Sequence, residues 1–486
     1  MEAGGHVSPP LGLRAGGPAG FSSRAWFAWA VLLAAGAGVL AATNPRLALD
    51  LALLVVGVAA VLMWPLTVLL AVLVVASRHS PLIEVLTAAS CVALLPRLPR
   101  APGKALLIPL AVFLLFALPG INFDPSQFGV AVHRALVIPG LGWEFLSRPS
   151  QEFLGWIRIG YAFGLALLAA LTVTNVRSAR LVFGAVILSG VHPVLIGLQQ
   201  LVTGKYVTKD SFNSVQGPFE FPNEFGFYLV IILLLSLVGA FELRRKWARV
   251  GSALLALATL VALQHTYTRS AWIGAALALL VLALFHYRRL VLVAVVVLAV
   301  TIVAAPSAVE SVQARFGDLA SQNAVNSKNS LKWRRGEWGR MTHFGDEEPL
   351  TGQGFGSYQR LTVAEFGLQD GTFSTIEAAP GRGVVNVGFA AHNDYVKLYV
   401  ETGVPGVILW ICVLAGLVAT AAAATRVPEL RPWAVAVAGL GAAFALMSAS
   451  DNIQGYAVPV AILFALTGAL AGAQRGTARA SRSPGG

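Results

Sequence analysis

Fourteen apolar runs, separated by short polar or proline-containing breaks, dominate this chain. They cover 25–42, 47–62, 64–77, 83–95, 104–119, 157–174, 178–201, 223–242, 247–265, 269–286, 289–305, 398–424, 431–449 and 456–473. A helix needs about 20 apolar residues to cross the hydrocarbon of a bilayer, and it satisfies its own backbone polar groups while doing so. The pattern predicts an all-α polytopic membrane protein. Trp64-Pro65 splits what would otherwise be one long tilted helix over 47–77, and the run at 83–95 is short enough to be re-entrant. The expectation is therefore 12–14 transmembrane helices. Composition agrees: of 486 residues, 56% are hydrophobic and 12% charged, about half the charged share of a soluble domain. Disorder, coiled coil and a disulfide scaffold are excluded. Cys91 and Cys412 lie inside apolar runs without metal-ligand spacing and read as packing residues.

The formal net charge is +12. The basic residues are scattered in short clusters between the apolar runs, a pattern that sets membrane orientation and not a nucleic-acid footprint. With the N-terminus inside, the cytoplasmic connections hold Arg97, Arg100 and Lys104; Arg177 and Arg180; Arg244, Arg245, Lys246 and Arg249; Arg288 and Arg289; Arg426 and Arg431; and the terminal Arg475, Arg479 and Arg482. The opposite short connections carry few positive charges, and 450–455 carries none. The expected organisation is a flexible cytoplasmic tail at 1–24, an N-terminal transmembrane bundle at 25–305, an extracytoplasmic loop at 306–397, C-terminal transmembrane helices at 398–473 and a basic cytoplasmic tail at 474–486. Arg14 and Arg24 before an apolar stretch resemble a signal peptide, but the many later spans favour an uncleaved first helix in a multi-pass protein of the plasma (inner) membrane. The loop is too long to be structureless. Its stretch Lys332–Met341 spaces Trp and Met helically and predicts short helices there.

Three polar groups fall on the outer face in this topology. In Gly217-Pro218-Phe219-Glu220-Phe221-Pro222-Asn223, Pro222 fixes a turn and Asn223 is placed to cap the next helix. The plain alternative is a loop-to-helix junction. In Tyr267-Thr268-Arg269-Ser270-Ala271-Trp272, Arg269 is either a snorkelling anchor or the captor of an anionic head group, because a guanidinium holds phosphate with two parallel hydrogen bonds. A helix N-terminus there would add to the anion site. In Ala391-His392-Asn393-Asp394-Tyr395, followed by Glu401-Thr402-Gly403-Val404-Pro405-Gly406, His392 can take a proton from a hydroxyl and Asp394 or Glu401 can orient its ring. Here the plain alternative is a His-Asn helix cap. Arg334 and Arg335 are secondary candidates for phosphate or glycan contact, and Trp333 and Trp338 for stacking on sugar rings or packing the loop.

With these blocks in view, the sequence resembles the O-antigen ligase and O-antigen polymerase superfamily of bacterial surface-polysaccharide enzymes. Four ordered blocks carry the resemblance: Gly217-Pro218-Phe219 with Pro222-Asn223; Thr268-Arg269-Ser270-Ala271-Trp272; Arg334 or Arg335 with Trp338 and then Pro349-Leu350-Thr351-Gly352-Gln353-Gly354-Phe355-Gly356-Ser357-Tyr358; and His392-Asn393-Asp394-Tyr395 with Glu401-Thr402-Gly403-Val404-Pro405-Gly406. It implies a membrane glycosyltransferase (GT-C-like) architecture whose long loop covers an extracytoplasmic site. It also implies transfer of a glycan from an undecaprenyl-pyrophosphate carrier to an acceptor hydroxyl on a glycan or lipid anchor, with membrane lipids as surroundings and with no metal, cofactor or nucleic acid. Arg269 would bind the pyrophosphate and His392 would activate the acceptor, with Asn223, Arg334, Arg335, Asp394 and Glu401 as substrate-binding candidates. Ser214 stands where such proteins often carry an arginine, which leaves polymerase activity open beside ligation. The rivals from other classes are a transporter or flippase for lipid-linked polysaccharide, which would hold ionisable groups near the bilayer midplane, and a structural scaffold.

Overall fold

The computed structural model describes residues 56–75, 87, 89–90, 93–121, 148–209, 212–288, 331–366, 375–376, 385–386 and 390–481. The expected tail at 1–24, the apolar runs at 25–42 and 289–305, and much of 120–156 and 306–397 lie outside these residues. The helices are α1 (Pro65–Val75), α2 (Lys104–Ala117), α3 (Arg148–Thr172), α4 (Val176–Ser189), α5 (Val191–Thr203), α6 (Pro222–Glu242), α7 (Lys246–Gln264), α8 (Arg269–Phe285), α9 (Leu331–Glu347), α10 (Tyr358–Glu365), α11 (Asp394–Ala424), α12 (Arg431–Ser448) and α13 (Ala457–Ala480). Two antiparallel hairpins complete the described chain, one pairing Val207–Lys209 with Phe212–Ser214 and one pairing Thr375–Ile376 with Val385–Asn386.

The chain is an all-α polytopic membrane protein. Among the described residues, seven helices are long and apolar enough to cross a membrane, and Lys104–Gly120 and Arg269–Phe285 are shorter apolar helices. The run expected at 178–201 is one 28-residue span, Val176–Thr203, whose halves α4 and α5 meet at Gly190. The split expected at Trp64-Pro65 is a bend of 114° between Val56–Met63 and α1.

Side-chain pattern decides which helices are central. Between Glu224 and Glu242, α6 has no charged residue, and it is buried nearly all round. Helix α13 is equally enclosed and packs along α3, where Gly468 and Gly472 leave room for the backbone carbonyls of the partner helix. By contrast α7 exposes Trp247, Val250, Leu254, Leu257 and Val261, an apolar stripe at three- and four-residue spacing. Such a stripe suits a lipid-facing surface.

One local irregularity ties the loop to the bundle. Helix α11 is kinked at Gly403 (φ 64°, ψ −169°), two residues before Pro405. Pro405 has no N–H for the Glu401 carbonyl, and the Val404 N–H turns to Pro349 O at 2.8 Å instead of to Val400. The two freed carbonyls are taken by the loop: Gln353 N–H donates to Val400 O at 2.9 Å and Gly354 N–H to Glu401 O at 3.0 Å. The Gly-rich block and the Glu401–Gly406 block are therefore two halves of one joint. A Cβ at Gly403 would lie 2.5 Å from Pro349 O, so the joint requires glycine there.

The bundle has two unlike ends. At one, the C-terminal ends of α3, α6, α8, α11 and α13 meet the start of α2 and α12. Tyr287 donates to Glu242 at 2.7 Å, Gln474 to Ala423 O at 2.9 Å and Arg475 to Arg100 O. Arg97, Arg100, Lys104, Arg244, Arg245, Lys246, Arg426 and Arg431 are exposed there. At the other end, the beginnings of α6, α8 and α11 converge with the turn between α12 and α13.

Candidate active site

A polar chain joins that second end. His392 Nδ1 faces Asp451 Oδ1 at 3.6 Å. Asp451 Oδ2 accepts from Asn223 Nδ2 at 2.6 Å, and Asn223 Oδ1 accepts from the Thr268 hydroxyl at 3.1 Å. Thr268 immediately precedes Arg269, the first residue of α8. Three sequence blocks that are distant in the chain are thus linked side chain to side chain. Asp451 is 2% exposed and its Oδ1 also accepts from Asn452 N–H (2.9 Å) and the Tyr456 hydroxyl (3.2 Å). Burial, then the charges of Asp451 and Glu224, push the Tyr456 hydroxyl well above its ordinary pKa, so it stays a donor.

Asn223 differs from its expected role. The cap position of α6 is Phe221, Pro222 is the first helical residue, and no side chain caps the helix. Asn223 lies inside the first turn, where its amide is free to bridge Asp451 and Thr268. The helix cap in the His-Asn pair is Asn393, whose Oδ1 accepts from Tyr395 N–H (3.0 Å) and Val396 N–H (3.2 Å). His392 is left with a ring that is 29% exposed at the side-chain level.

Backbone strain marks the same place. Among the described residues, the non-glycine residues with positive φ are Tyr267 (φ 49°) and His392 (φ 48°). Each sits in the turn that delivers one of the functional helix starts. A left-handed conformation costs a non-glycine residue roughly 1–2 kcal/mol, and surrounding contacts must hold it.

The remaining candidates divide by environment. Arg269 is half-buried at the start of α8. Arg334 Nη1 donates to Ser450 O at 3.0 Å, beside Asp451, and Arg335 is exposed on the same helix. Asp394 and Glu401, expected to orient the His392 ring, turn to the backbone. Asp394 is fully buried and accepts from Gln454 N–H at 3.0 Å. Glu401, 1% exposed, accepts from Tyr358 N–H at 3.2 Å, with Lys397 Nζ 4.0 Å from its other oxygen. The carboxylate against the ring is Asp451. Ser214 is fully buried at the end of its hairpin strand, paired with Val207.

The loop helix α9 lies over this end. Trp338 Nε1 donates to Ala391 O at 2.7 Å. Glu337, 2% exposed, accepts from the Tyr358 hydroxyl at 3.2 Å. Burial raises the Glu337 carboxyl to about 7, against the Tyr358 hydrogen bond and the positive charge of Arg334. Burial and Glu337 together push the Tyr358 hydroxyl up.

Asp451 is not among the residues that the sequence singles out, where 450–455 is an outer connection without positive charge. The available signal was an Asp-Asn pair in a short turn between two apolar runs, on the face already assigned to His392. A search of curated proteins finds no match to the chain. Residues 254–411 match the family model described as O-Antigen ligase, a stretch that holds Arg269, α9, the glycine-rich joint and His392.

Proposed function

We propose that this membrane protein transfers a glycan from an undecaprenyl-pyrophosphate carrier to an acceptor hydroxyl at the outer face of the plasma membrane. The observation that carries the proposal is the chain His392–Asp451–Asn223–Thr268, which leads to Arg269 at the bundle end opposite Arg97, Arg100, Arg244, Arg245, Arg426 and Arg431. The bias of basic residues toward the cytoplasmic side supports an extracytoplasmic location for that end.

In the proposed step, the acceptor oxygen attacks the anomeric carbon, the bond from that carbon to the pyrophosphate oxygen breaks, and the lipid pyrophosphate leaves as an anion. Its departure calls for charge stabilisation more than for an acid. Arg269 supplies a guanidinium at a helix N-terminus, where the helix dipole adds to it. His392 takes the acceptor proton. With Nδ1 toward Asp451, the Nδ1–H tautomer leaves Nε2 as the base, and 3.6 Å is close enough to tighten into a hydrogen bond as the ring gains charge. Asn223 holds Asp451 from the far side. Arg335 is proposed to meet the glycan or phosphate at the rim, and Asp394 and Glu401 to support the site from beneath, while the Arg334 guanidinium is engaged on Ser450 O. The mechanism routes no step through a metal, so a chelator is expected to leave transfer unchanged.

A transport role is not favoured, because the central helix α6 carries no charged residue between its ends. The test is reconstitution of the purified protein in proteoliposomes with an undecaprenyl-pyrophosphate-linked glycan and extracted envelope acceptors, scored by product mass. A ladder would indicate polymerisation and a single adduct ligation. Movement of intact donor across the bilayer without a new glycosidic product would overturn the proposal.

A further inference from the structure

Two side chains on one face of α9 each hold the carbonyl just before a member of the His392–Asp451 pair. Arg334 Nη1 donates to Ser450 O at 3.0 Å, and Trp338 Nε1 donates to Ala391 O at 2.7 Å. Residues four apart on a helix are neighbours, so the two donors form a fork. Its prongs grip two chain segments that meet only in the folded protein.

The gripped segments need holding. His392 is in a left-handed conformation that its side chain disfavours, and on its C-terminal side Asn393 already fixes the helix start. The N-terminal side is held by the indole of Trp338. His392 Nδ1 makes no hydrogen bond at 3.6 Å from Asp451, so a few tenths of an ångström separate contact from a working pair. Helix α9 is itself seated by Glu337 on the Tyr358 hydroxyl, while the Tyr358 N–H donates to Glu401 of α11. The path from the α11 joint through Tyr358 and Glu337 to the fork is continuous.

We propose that Arg334 and Trp338 form a positioning clip that sets the spacing of His392 and Asp451, so that docking of the loop helix assembles the proton-accepting pair. The clip rests on the proposed role of His392 as the base. Both residues act through the backbone of the pair, which makes them positioning residues.

The test uses the full-length protein in proteoliposomes with undecaprenyl-pyrophosphate-linked glycan and extracted envelope acceptor. Trp338→Phe and Arg334→Met are each expected to lower kcat about tenfold, the effect of one lost hydrogen bond on a placed group, with KM within twofold. Arg334→Lys, which keeps a donor, should recover most of the loss. In an Asp451→Asn background, Trp338→Phe should cost less than a further twofold, because the two residues act as one unit. Independently of substrate, diethyl pyrocarbonate should modify His392 severalfold faster in Trp338→Phe than in the parent, read by peptide mass. Unchanged kcat and unchanged modification in the clip variants, alongside loss of transfer in His392→Ala, would overturn the clip and leave the base in place. Full transfer by His392→Ala would overturn the base, and the clip with it. A Trp338→Phe defect that lies wholly in the amount of folded protein would also overturn the clip.

Discussion

The two ends of the bundle handle charge in opposite ways. At the basic end the cations are exposed and loosely engaged, as where Arg249 donates to Ala240 O at 2.9 Å. At the site end five acidic side chains, Asp394, Glu401, Asp451, Glu337 and Glu224, are withdrawn from water, while Glu220 is exposed. Exposed charges cost little and are enough to orient a membrane protein. Buried carboxylates are expensive unless they are hydrogen-bonded, and each of the first four accepts from a backbone or side-chain donor. One end is therefore topological in character, while the other concentrates strain, buried charge and the motif residues.

If that contrast is functional, substitutions of equal size should have unequal effects. The largest is expected for His392→Ala and Arg269→Ala, each lowering transfer at least ~10²-fold with the protein still in the membrane, whereas Arg431→Ala at the basic end should leave turnover within about twofold. Next, Asp451→Asn should lower kcat on the order of tenfold or more by removing the charge that faces the His392 ring, measured under saturating acceptor. Gly403→Ala tests the joint beneath the site. It imposes a left-handed alanine and a clash with Pro349 O, and should destabilise docking of 349–358 by roughly 1–3 kcal/mol, seen as faster hydrogen exchange in that segment.

The smallest effect expected is one of pH. Glu337 has a folded-state value of about 7 against 4.5 when unfolded, so the fold prefers its protonated form. Its contribution is complete below pH 4.5 and is lost as pH rises through 7. Protection of α9 amides, taken relative to the intrinsic exchange rate at each pH, should therefore fall between those values, and Glu337→Gln, which still accepts from Tyr358, should flatten the change. An unaltered pH dependence in that variant would place the titration elsewhere.

Much of this architecture is legible along the chain because its cause is local. Apolar runs make helices, and Lys332–Met341 makes the loop helix. What the chain could not reveal is pairing at a distance. Asn223 has the sequence context of a cap, yet its amide finds Asp451 some two hundred residues away. Asp394 and Glu401 stand close to His392 in sequence, but the helix turns them toward the Gln454 and Tyr358 amides. Asp451 offers only its Asp-Asn pair in a short outer turn as a signal, because its importance comes from what packs opposite it.

The most direct measurement compares His392→Ala and Arg431→Ala in the same proteoliposomes, following glycan transfer from undecaprenyl-pyrophosphate by product mass. Loss of product in the first, with parental yield in the second, is the predicted result. Equal yields from the two, or loss only in Arg431→Ala, would contradict the assignment of chemistry to the end where His392 meets Asp451.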